Sequence, residues 1–204
     1  MVGYGKFIVF EGLDASGKSS LLKYSSKFLE DSGYSVLMTK EPSESPVGLF
    51  LRKILKGESN LDSYFGIQLL FWADRAEHIA SEVKPTVEKG INVLSDRYMY
   101  STLAYGAASG LTKDQLDAFY RLSESFMKPD AVFYLNVSVQ TAIHRIETRG
   151  EKKELFEKSG VLEKVREEYL KMSKKFGFIN IDAEKPLEQI KPVLSSELEK
   201  IFSR

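Results

Sequence analysis

One short segment of the chain has the residue types and the spacing of a phosphate-binding loop. Residues 12–19 read G-L-D-A-S-G-K-S, an uninterrupted match to G-x-x-x-x-G-K-S. Gly12 and Gly17 allow successive backbone N–H groups to turn inward around a phosphate, and the helix that follows points its positive end at the same place. Lys18 is placed to reach the β- and γ-phosphates of ATP, and the Ser19 hydroxyl is placed to bind Mg²⁺. An ordinary glycine-rich turn would not explain a lysine at the start of the helix.

A second group of chemically capable residues follows a short apolar run at residues 91–95. Asp96 comes directly after this predicted strand, where a carboxylate suits Mg²⁺, either directly or through water. Arg97 beside it can hold a phosphate through two parallel hydrogen bonds. A surface ion pair is the alternative explanation. The phosphate loop also follows a predicted strand, and ligands of parallel sheets bind at the carboxyl ends of the strands. This favours a functional role for Asp96 and Arg97 over a surface ion pair.

The elements that must position these residues alternate along the chain. Strands are predicted at residues 7–10, 35–39, 91–95, 131–135 and 178–181. Helices are predicted at residues 21–30, 47–56, 61–89, 112–126, 139–148, 161–176 and 187–202, with a capping box at Thr112 and Gln115. The alternation predicts an α/β fold, a three-layer sandwich in which a five-stranded parallel sheet carries helices on both faces, as in P-loop NTPases. Residues 1–204 are expected to form a single domain.

Composition excludes several other classes of function. Lys plus Arg and Asp plus Glu number 29 each, so no net charge draws the protein to nucleic acid or to an anionic membrane. The chain has no cysteine, which excludes disulfides, thiolate metal sites and a cysteine nucleophile, and is compatible with a reducing compartment. His78 and His144 lie far apart, which argues against a zinc site. No apolar run reaches the length of a membrane span, and no signal peptide is recognised, so a cytoplasmic protein is expected.

Five segments, in order, resemble those of the thymidylate kinase family. They are F-E-G-L-D at 10–14, K-E-P at 40–42, L-L-F-W-A-D-R at 69–75, D-R-Y with S and A-Y at 96–105, and R-G at 149–150. The resemblance implies transfer of the γ-phosphate of ATP to dTMP, giving dTDP and ADP for dTTP synthesis. It also implies Mg²⁺ as cofactor, a homodimer, and a short lid over residues 149–160.

The resemblance assigns roles to single residues. Phe71 would stack on thymine and Arg75 would hydrogen-bond a thymine carbonyl; residues four apart share one helix face. Without the resemblance, packing in the core explains this pair better. Asp14 would accept from the deoxyribose 3′-hydroxyl, and Tyr105 would pack under the sugar. The residues expected to contact dTMP are Asp14, Glu41, Arg52, Phe71, Arg75, Arg97, Ser101 and Tyr105.

The remaining expected contacts concern ATP, the metal and catalysis. The residues expected to contact ATP are Gly12, Leu13, Asp14, Ala15, Ser16, Gly17, Lys18, Ser19 and Ser20. Ser19 and Asp96 are the expected metal ligands, and Lys18, Arg97 and Arg149 are the expected catalytic cations. The acceptor phosphate is already ionised near neutral pH, so the task is to bring two anions together in line and neutralise their repulsion.

The sequence departs from the family pattern in the charges around the phosphates. Ala15 and Ser16 stand where some relatives have an arginine in the phosphate loop. Relatives without that arginine place arginines in the lid, where Arg149 fits but Leu155 occupies the next expected position. The candidates to replace the missing charge are Arg145, Lys152 and Lys153. Milder departures are Lys40 in place of arginine and Gly106 after Tyr105.

Two other functions stay open on the sequence. One is a kinase for another pyrimidine nucleotide or a deoxynucleoside, in which Phe71 and Arg75 would contact a different pyrimidine. The other is a nucleotide-dependent switch that hydrolyses slowly and signals by ordering a loop. The chain has no guanine-specifying N-K-x-D segment, which argues against the second.

Overall fold

A five-stranded parallel sheet forms the centre of the protein. In this computed structural model, which describes residues 3–148 and 159–203, every strand pair runs parallel. The strands are β1 (Phe7–Gly12), β2 (Val36–Lys40), β3 (Asn92–Asp96), β4 (Ala131–Asn136) and β5 (Ile179–Asp182), in the spatial order β2-β3-β1-β4-β5. Each predicted strand is present within one or two residues of its predicted bounds, and the predicted fold class is confirmed.

Helices connect the strands and surround the sheet. They are α1 (Lys18–Asp31), α2 (Pro46–Leu55), α3 (Tyr64–His78), α4 (Lys84–Glu88), α5 (Met99–Ala108), α6 (Lys113–Ser123), α7 (Val139–Thr148), α8 (Ser159–Phe176) and α9 (Leu187–Phe202). A π-helical turn, Ile79–Val83, joins α3 to α4, so the long helix predicted at 61–89 is nearly continuous. The predicted capping box is confirmed, because Thr112 and Gln115 exchange both hydrogen bonds.

Helix α5 was not predicted from the sequence. Most of its residues are buried, so apolar and small side chains occur all around it and no amphipathic period marks it. Its neighbours explain this burial: α5 packs against α3, α6 and α8 as well as against the sheet. The helix matters for function because it begins directly after Asp96 and Arg97 and carries Ser101 and Tyr105.

The strand order brings the two chemically capable segments together. All six residues of β1 are buried, as expected of a central strand covered on both faces. Phe10 in β1 pairs with Asp96 in β3, so Gly12 and Asp96 lie at the same carboxyl edge. The phosphate loop and the Asp96-Arg97 pair therefore meet although more than 75 residues separate them in the chain.

The loop between β2 and α2 is fastened to α3 by one buried carboxylate. Asp74 accepts hydrogen bonds from the Ser43 amide at 2.8 Å, from the Ser43 hydroxyl at 2.5 Å and from the Ser45 hydroxyl at 2.7 Å. Ser45 also caps α2 by accepting from the Gly48 amide at 3.0 Å. The loop comes so close to α2 that a Cβ on Gly48 would lie 2.2 Å from the Ser43 carbonyl oxygen and 2.7 Å from Asp74 Oδ1. Only glycine fits at this position.

We expect Gly48→Ala to destabilise the protein by roughly 2–3 kcal/mol, because backbone atoms must move to admit the methyl group. Urea unfolding followed by circular dichroism measures the change. Gly66→Ala is the matched control: its Cβ would meet Ser63 at an ordinary 3.5 Å, so a neutral or slightly stabilising effect is expected. Equal stability of the two variants would contradict the close approach at Gly48.

Candidate active site

The loop between β1 and α1 has the backbone shape of a phosphate cradle. Gly12 has a φ of 149°, which residues with a side chain rarely adopt, and a Cβ there would lie 2.8 Å from the Leu135 carbonyl oxygen. Both the backbone conformation and the lack of space therefore require glycine at this position. Gly17, at a φ of 97°, and Ala15, at 60°, also lie in the left-handed region. Lys18 then begins α1, whose first-turn amides point into the loop.

Lys18 lies inside this cradle and is almost completely buried. Its Nζ donates to the carbonyl oxygens of Leu13 at 2.8 Å and Gly12 at 3.2 Å. Burial, with a smaller contribution from the nearby Arg97 guanidinium, lowers the pKa of Lys18 to about 8. The ammonium therefore occupies the cradle with two neutral carbonyl partners, in a place where an anionic phosphate would stabilise its charge.

Ser19 and Asp96 form a hydrogen-bonded pair of side chains in the cavity that Lys18 also lines. The Ser19 hydroxyl donates to Asp96 Oδ2 at 2.8 Å, and both side chains line the same cavity. No cluster of three or more acidic, histidine or cysteine side chains with metal-binding geometry occurs among residues 3–148 and 159–203. One hydroxyl and one carboxylate fit Mg²⁺, which commonly keeps water and binds substrate phosphates alongside one or two carboxylates.

Arg97 is the centre of the cavity wall. Its guanidinium donates to the Asp14 carboxylate, to Ser101 Oγ at 2.9 Å and to the Gly12 carbonyl oxygen at 3.2 Å. Tyr105 completes this group, since its hydroxyl donates to Asp14 Oδ2 at 2.8 Å. Burial alone would raise the pKa of Asp14, but Arg97 and Lys18 outweigh it and lower the pKa to about 2. Asp14 is thus a carboxylate at every working pH.

A buried network behind Arg97 was missed by the sequence analysis. Glu11, at the end of β1, accepts from the Ser101 hydroxyl at 2.6 Å and from the Tyr169 hydroxyl at 2.7 Å. Tyr169 belongs to α8 and also lies 3.4 Å from an Arg97 nitrogen. Burial raises the pKa of Glu11, while Ser101 and Arg97 oppose that rise. No sequence signal pointed to Tyr169, because its partners are 68 and 158 residues away.

The far end of the cavity is formed by α3 and α5. Phe71 lines it and is partly exposed, whereas Arg75 is only 1% exposed. One nitrogen of Arg75, Nη2, donates to Glu41 at 2.5 Å and to Thr102 Oγ1 at 3.1 Å. The guanidinium lies 4.9 Å from the Trp72 ring centre. Nε and Nη1 of Arg75 have no partner among the described residues.

A single cavity of about 490 Å³ joins the two ends. The predicted site residues that line it are Asp14, Ala15, Gly17, Lys18, Ser19, Ser20, Glu41, Arg52, Phe71, Asp96, Arg97, Ser101 and Tyr105. Other predicted site residues lie outside this lining, and they are Gly12, Leu13, Ser16 and Arg75. Leu13 is packed in the core with no exposed surface. Gln68 and Thr102 also line the cavity and were not predicted; Gln68 lies three residues before Phe71, a helical spacing that could have indicated it.

The lid prediction falls mostly outside the described part of the chain. Arg149 and residues 150–158, including Lys152, Lys153 and Leu155, lie outside the described residues, while residues 159–160 begin α8. Arg145, the alternative cation, belongs to the described part of the chain. It donates to the Ala15 carbonyl oxygen at 3.4 Å and to the Ala183 carbonyl oxygen at 3.0 Å, so it lies against the phosphate loop.

The fold and this cavity define a class of protein. The protein has a parallel sheet with a phosphate loop and, beside that loop, a hydroxyl and a carboxylate. The cavity continues from there to an aromatic side chain next to a buried arginine. This is the arrangement of a P-loop phosphotransferase with an acceptor site. No helix in residues 3–148 and 159–203 combines the length and the apolar character that crossing a bilayer requires.

Comparison with known proteins identifies the family within this class. Residues 10–192 match the family model described as thymidylate kinase. A probable thymidylate kinase from Thermococcus kodakarensis is 42% identical over 177 residues, covering 83% of this chain and 85% of that protein. For a probable thymidylate kinase from Thermococcus gammatolerans the identity is 42% over 195 residues, covering 91% and 92%. A thymidylate kinase from Leptospira borgpetersenii is 39% identical over 184 residues, covering 90% and 88%.

The chain therefore belongs to the thymidylate kinase family. As a member it is a nucleoside monophosphate kinase, a phosphotransferase that uses ATP. A nucleotide-dependent switch, the other class considered from the sequence, is not favoured.

The lowered pKa of Lys18 predicts proton uptake when a nucleotide binds. At pH 8.5 the free protein has lost much of the Lys18 proton, because its pKa is about 8. Nucleotide phosphates favour the charged form and raise that pKa, so binding of ADP should take up a fraction of a proton at pH 8.5 and less at pH 7. Calorimetry in buffers of different ionisation enthalpy measures the uptake. Lys18→Met should abolish it, and an uptake that persists in this variant would show that another group titrates.

Proposed function

We propose that the protein transfers the γ-phosphate of ATP to dTMP, giving dTDP and ADP for dTTP synthesis. The observation that carries the proposal is the continuous cavity, whose lining includes the phosphate loop, Arg97 and Phe71. Family membership supports the same reaction. A kinase for a different pyrimidine acceptor has no specific observation in its favour.

At the donor end, backbone amides of the phosphate loop and Lys18 hold the β- and γ-phosphates of ATP. At the acceptor end, Phe71 stacks on thymine, Arg75 donates to a base carbonyl, and Asp14 with Tyr105 holds the sugar. Arg52 and Arg97 hold the acceptor phosphate, with Arg97 the better supported because it lies between the two ends of the cavity. Arg97 then neutralises the repulsion between two anionic phosphates, which is the main barrier to their approach.

The acceptor requires no strong base. A nucleoside monophosphate is largely ionised at neutral pH, so its oxygen attacks without losing a proton first. Glu11 and Asp14 therefore position neighbouring groups and do not transfer protons. Asp14 is held as an anion by Arg97 and Lys18, and Glu11 holds Ser101, which in turn accepts from Arg97.

Mg²⁺ is part of this proposal, with Ser19 and Asp96 as the residues that would hold it. Their oxygen atoms already lie within hydrogen-bonding distance at the mouth of the cradle. When bound, Mg²⁺ would neutralise charge on the ATP phosphates. Arg149 is proposed as the lid cation, with a lid over residues 149–160 and a single domain over residues 1–204.

We also propose a homodimer formed through α2 and α3. Exposed apolar side chains are concentrated on these helices and on the segment between them, at Leu49, Phe50, Leu61, Tyr64 and Leu69. Each of these side chains is between 40% and 46% exposed. A group of exposed apolar side chains on two helices that pack together suits a subunit interface. The proposed location is the cytoplasm, where both substrates occur.

The dimer proposal predicts that Leu69→Glu shifts the protein to monomers in size-exclusion chromatography with light scattering, because it places a charge in the proposed apolar interface. Val193→Glu is the control, since Val193 is 52% exposed on α9, away from the proposed surface. A wild-type protein that elutes as a monomer at micromolar concentration would refute the dimer.

The proposed reaction predicts a ranking of acceptors. A coupled assay of ADP release with dTMP, dUMP, dCMP, AMP, GMP and thymidine should give the highest kcat/KM for dTMP. Thymidine should be a poor acceptor for two reasons. It lacks the phosphate that Arg52 and Arg97 would bind, and its hydroxyl is not an ionised nucleophile. Best turnover of a purine nucleotide would overturn the thymine assignment, and best turnover of thymidine would point to a deoxynucleoside kinase.

A further inference from the structure

The side chain of Gln68 is a buried amide that nothing in the described protein satisfies. Gln68 lies on α3, has no exposed surface and lines the cavity. Neither Oε1 nor Nε2 has a hydrogen-bond partner among the described residues. Leaving a buried donor or acceptor unpaired costs free energy, and native proteins rarely do so without a reason. An unpaired amide at the wall of a substrate cavity points to a ligand.

The position of Gln68 fits the base end of that cavity. Gln68, Phe71 and Arg75 stand at i, i+3 and i+7 on α3, which places them on one face of the helix. The facing helix, α5, contributes Thr102 and Tyr105 to the same lining.

A glycine on α5 lies beside the Gln68 amide. A Cβ on Gly106 would be tight against Leu111 Cδ1, at 3.0 Å, and at an ordinary contact distance of 3.9 Å from the Gln68 amide carbon. Glycine at 106 departs from the family pattern and places no side chain beside this amide.

We propose that Gln68 determines base specificity by hydrogen-bonding the N3–H edge of thymine. Thymine presents one donor, N3–H, between two carbonyl acceptors. A primary amide matches that edge, because Oε1 accepts from N3–H while Nε2 donates to one flanking carbonyl. The other carbonyl is left for the unpartnered Arg75 nitrogens. This inference rests on the proposed function and adds the residue that recognises N3–H.

The test compares dTMP with N3-methyl-dTMP, which has lost the N3 proton, in wild type and in Gln68→Met. Methionine keeps the length and volume of glutamine but makes no comparable hydrogen bonds. We expect Gln68→Met to raise KM for dTMP roughly 10- to 100-fold, since two hydrogen bonds are lost. KM for ATP should stay within about twofold. The preference of wild type for dTMP over N3-methyl-dTMP should shrink at least tenfold in the variant.

A stability measurement separates recognition from a structural role. Because Gln68→Met removes an unpaired amide from the interior, the melting temperature without ligand should stay the same or rise, while the upward shift caused by dTMP should fall. Gln189→Met, the same change at an exposed position of α9, is the control and should alter neither KM nor melting temperature. Gln68→Ala is a second variant: the space it opens should make N3-methyl-dTMP a better substrate than it is for wild type.

Failure of this inference is distinguishable from failure of the proposed function. If wild type does not turn over dTMP, the proposed function fails and the inference with it. If wild type uses dTMP while both Gln68 variants keep the wild-type KM and the wild-type discrimination against N3-methyl-dTMP, the inference alone is overturned. A melting temperature that drops by several degrees in Gln68→Met, with discrimination unchanged, assigns Gln68 a packing role and also overturns it.

Discussion

The guanidinium of Arg97 is the interaction on which the site depends. It bonds the Gly12 carbonyl oxygen at the end of β1, the carboxylate of Asp14 in the phosphate loop and the Ser101 hydroxyl on α5. A cation taken out of water costs several kcal/mol unless anions and acceptors surround it. Asp14 supplies that compensation because its pKa of about 2 keeps it ionised. The phosphate loop and α5 are therefore held at a fixed separation by a charge that also lines the cavity.

A second set of charges, buried except for Glu82, includes Glu41 in the cavity lining. Glu41 accepts from Arg75 on one oxygen and pairs with His78 on the other at 3.2 Å, and His78 also lies 2.9 Å from Glu82. Burial alone would lower the pKa of His78, but Glu41 and Glu82 outweigh it and raise the pKa. With His78 protonated, two cations face two anions, and the set is neutral. One nitrogen of Arg75 is committed to this set, which orients the guanidinium, while Nε and Nη1 have no partner among the described residues.

Patterns local in the sequence were predictable, and contacts between distant segments were not. The apolar runs of β1, β3 and β4 and the phosphate loop could be read directly, because their burial and turn chemistry depend on adjacent residues. Helix α5 was missed because burial on nearly all sides removes the period that identifies a helix. Tyr169 was missed for a different reason: it acquires a role only when α8 packs against β1 and α5. Side-chain networks of this kind are set by tertiary packing, which a single sequence does not display.

Unpaired polar groups in this protein carry information only in combination with the cavity. Ser25, Tyr134 and Gln68 all have buried side-chain atoms without partners among the described residues. Ser25 and Tyr134 lie outside the lining of the cavity, so no substrate explains them, and each remains a cost to stability. Gln68 is different because it lines the cavity, and the proposed base contact would give both ends of its amide a partner. The unpaired amide lowers the stability of the ligand-free protein. A substrate whose edge offers a donor beside an acceptor would pair both atoms of the amide, and these hydrogen bonds would add to its binding free energy. The amide would therefore favour that substrate over others.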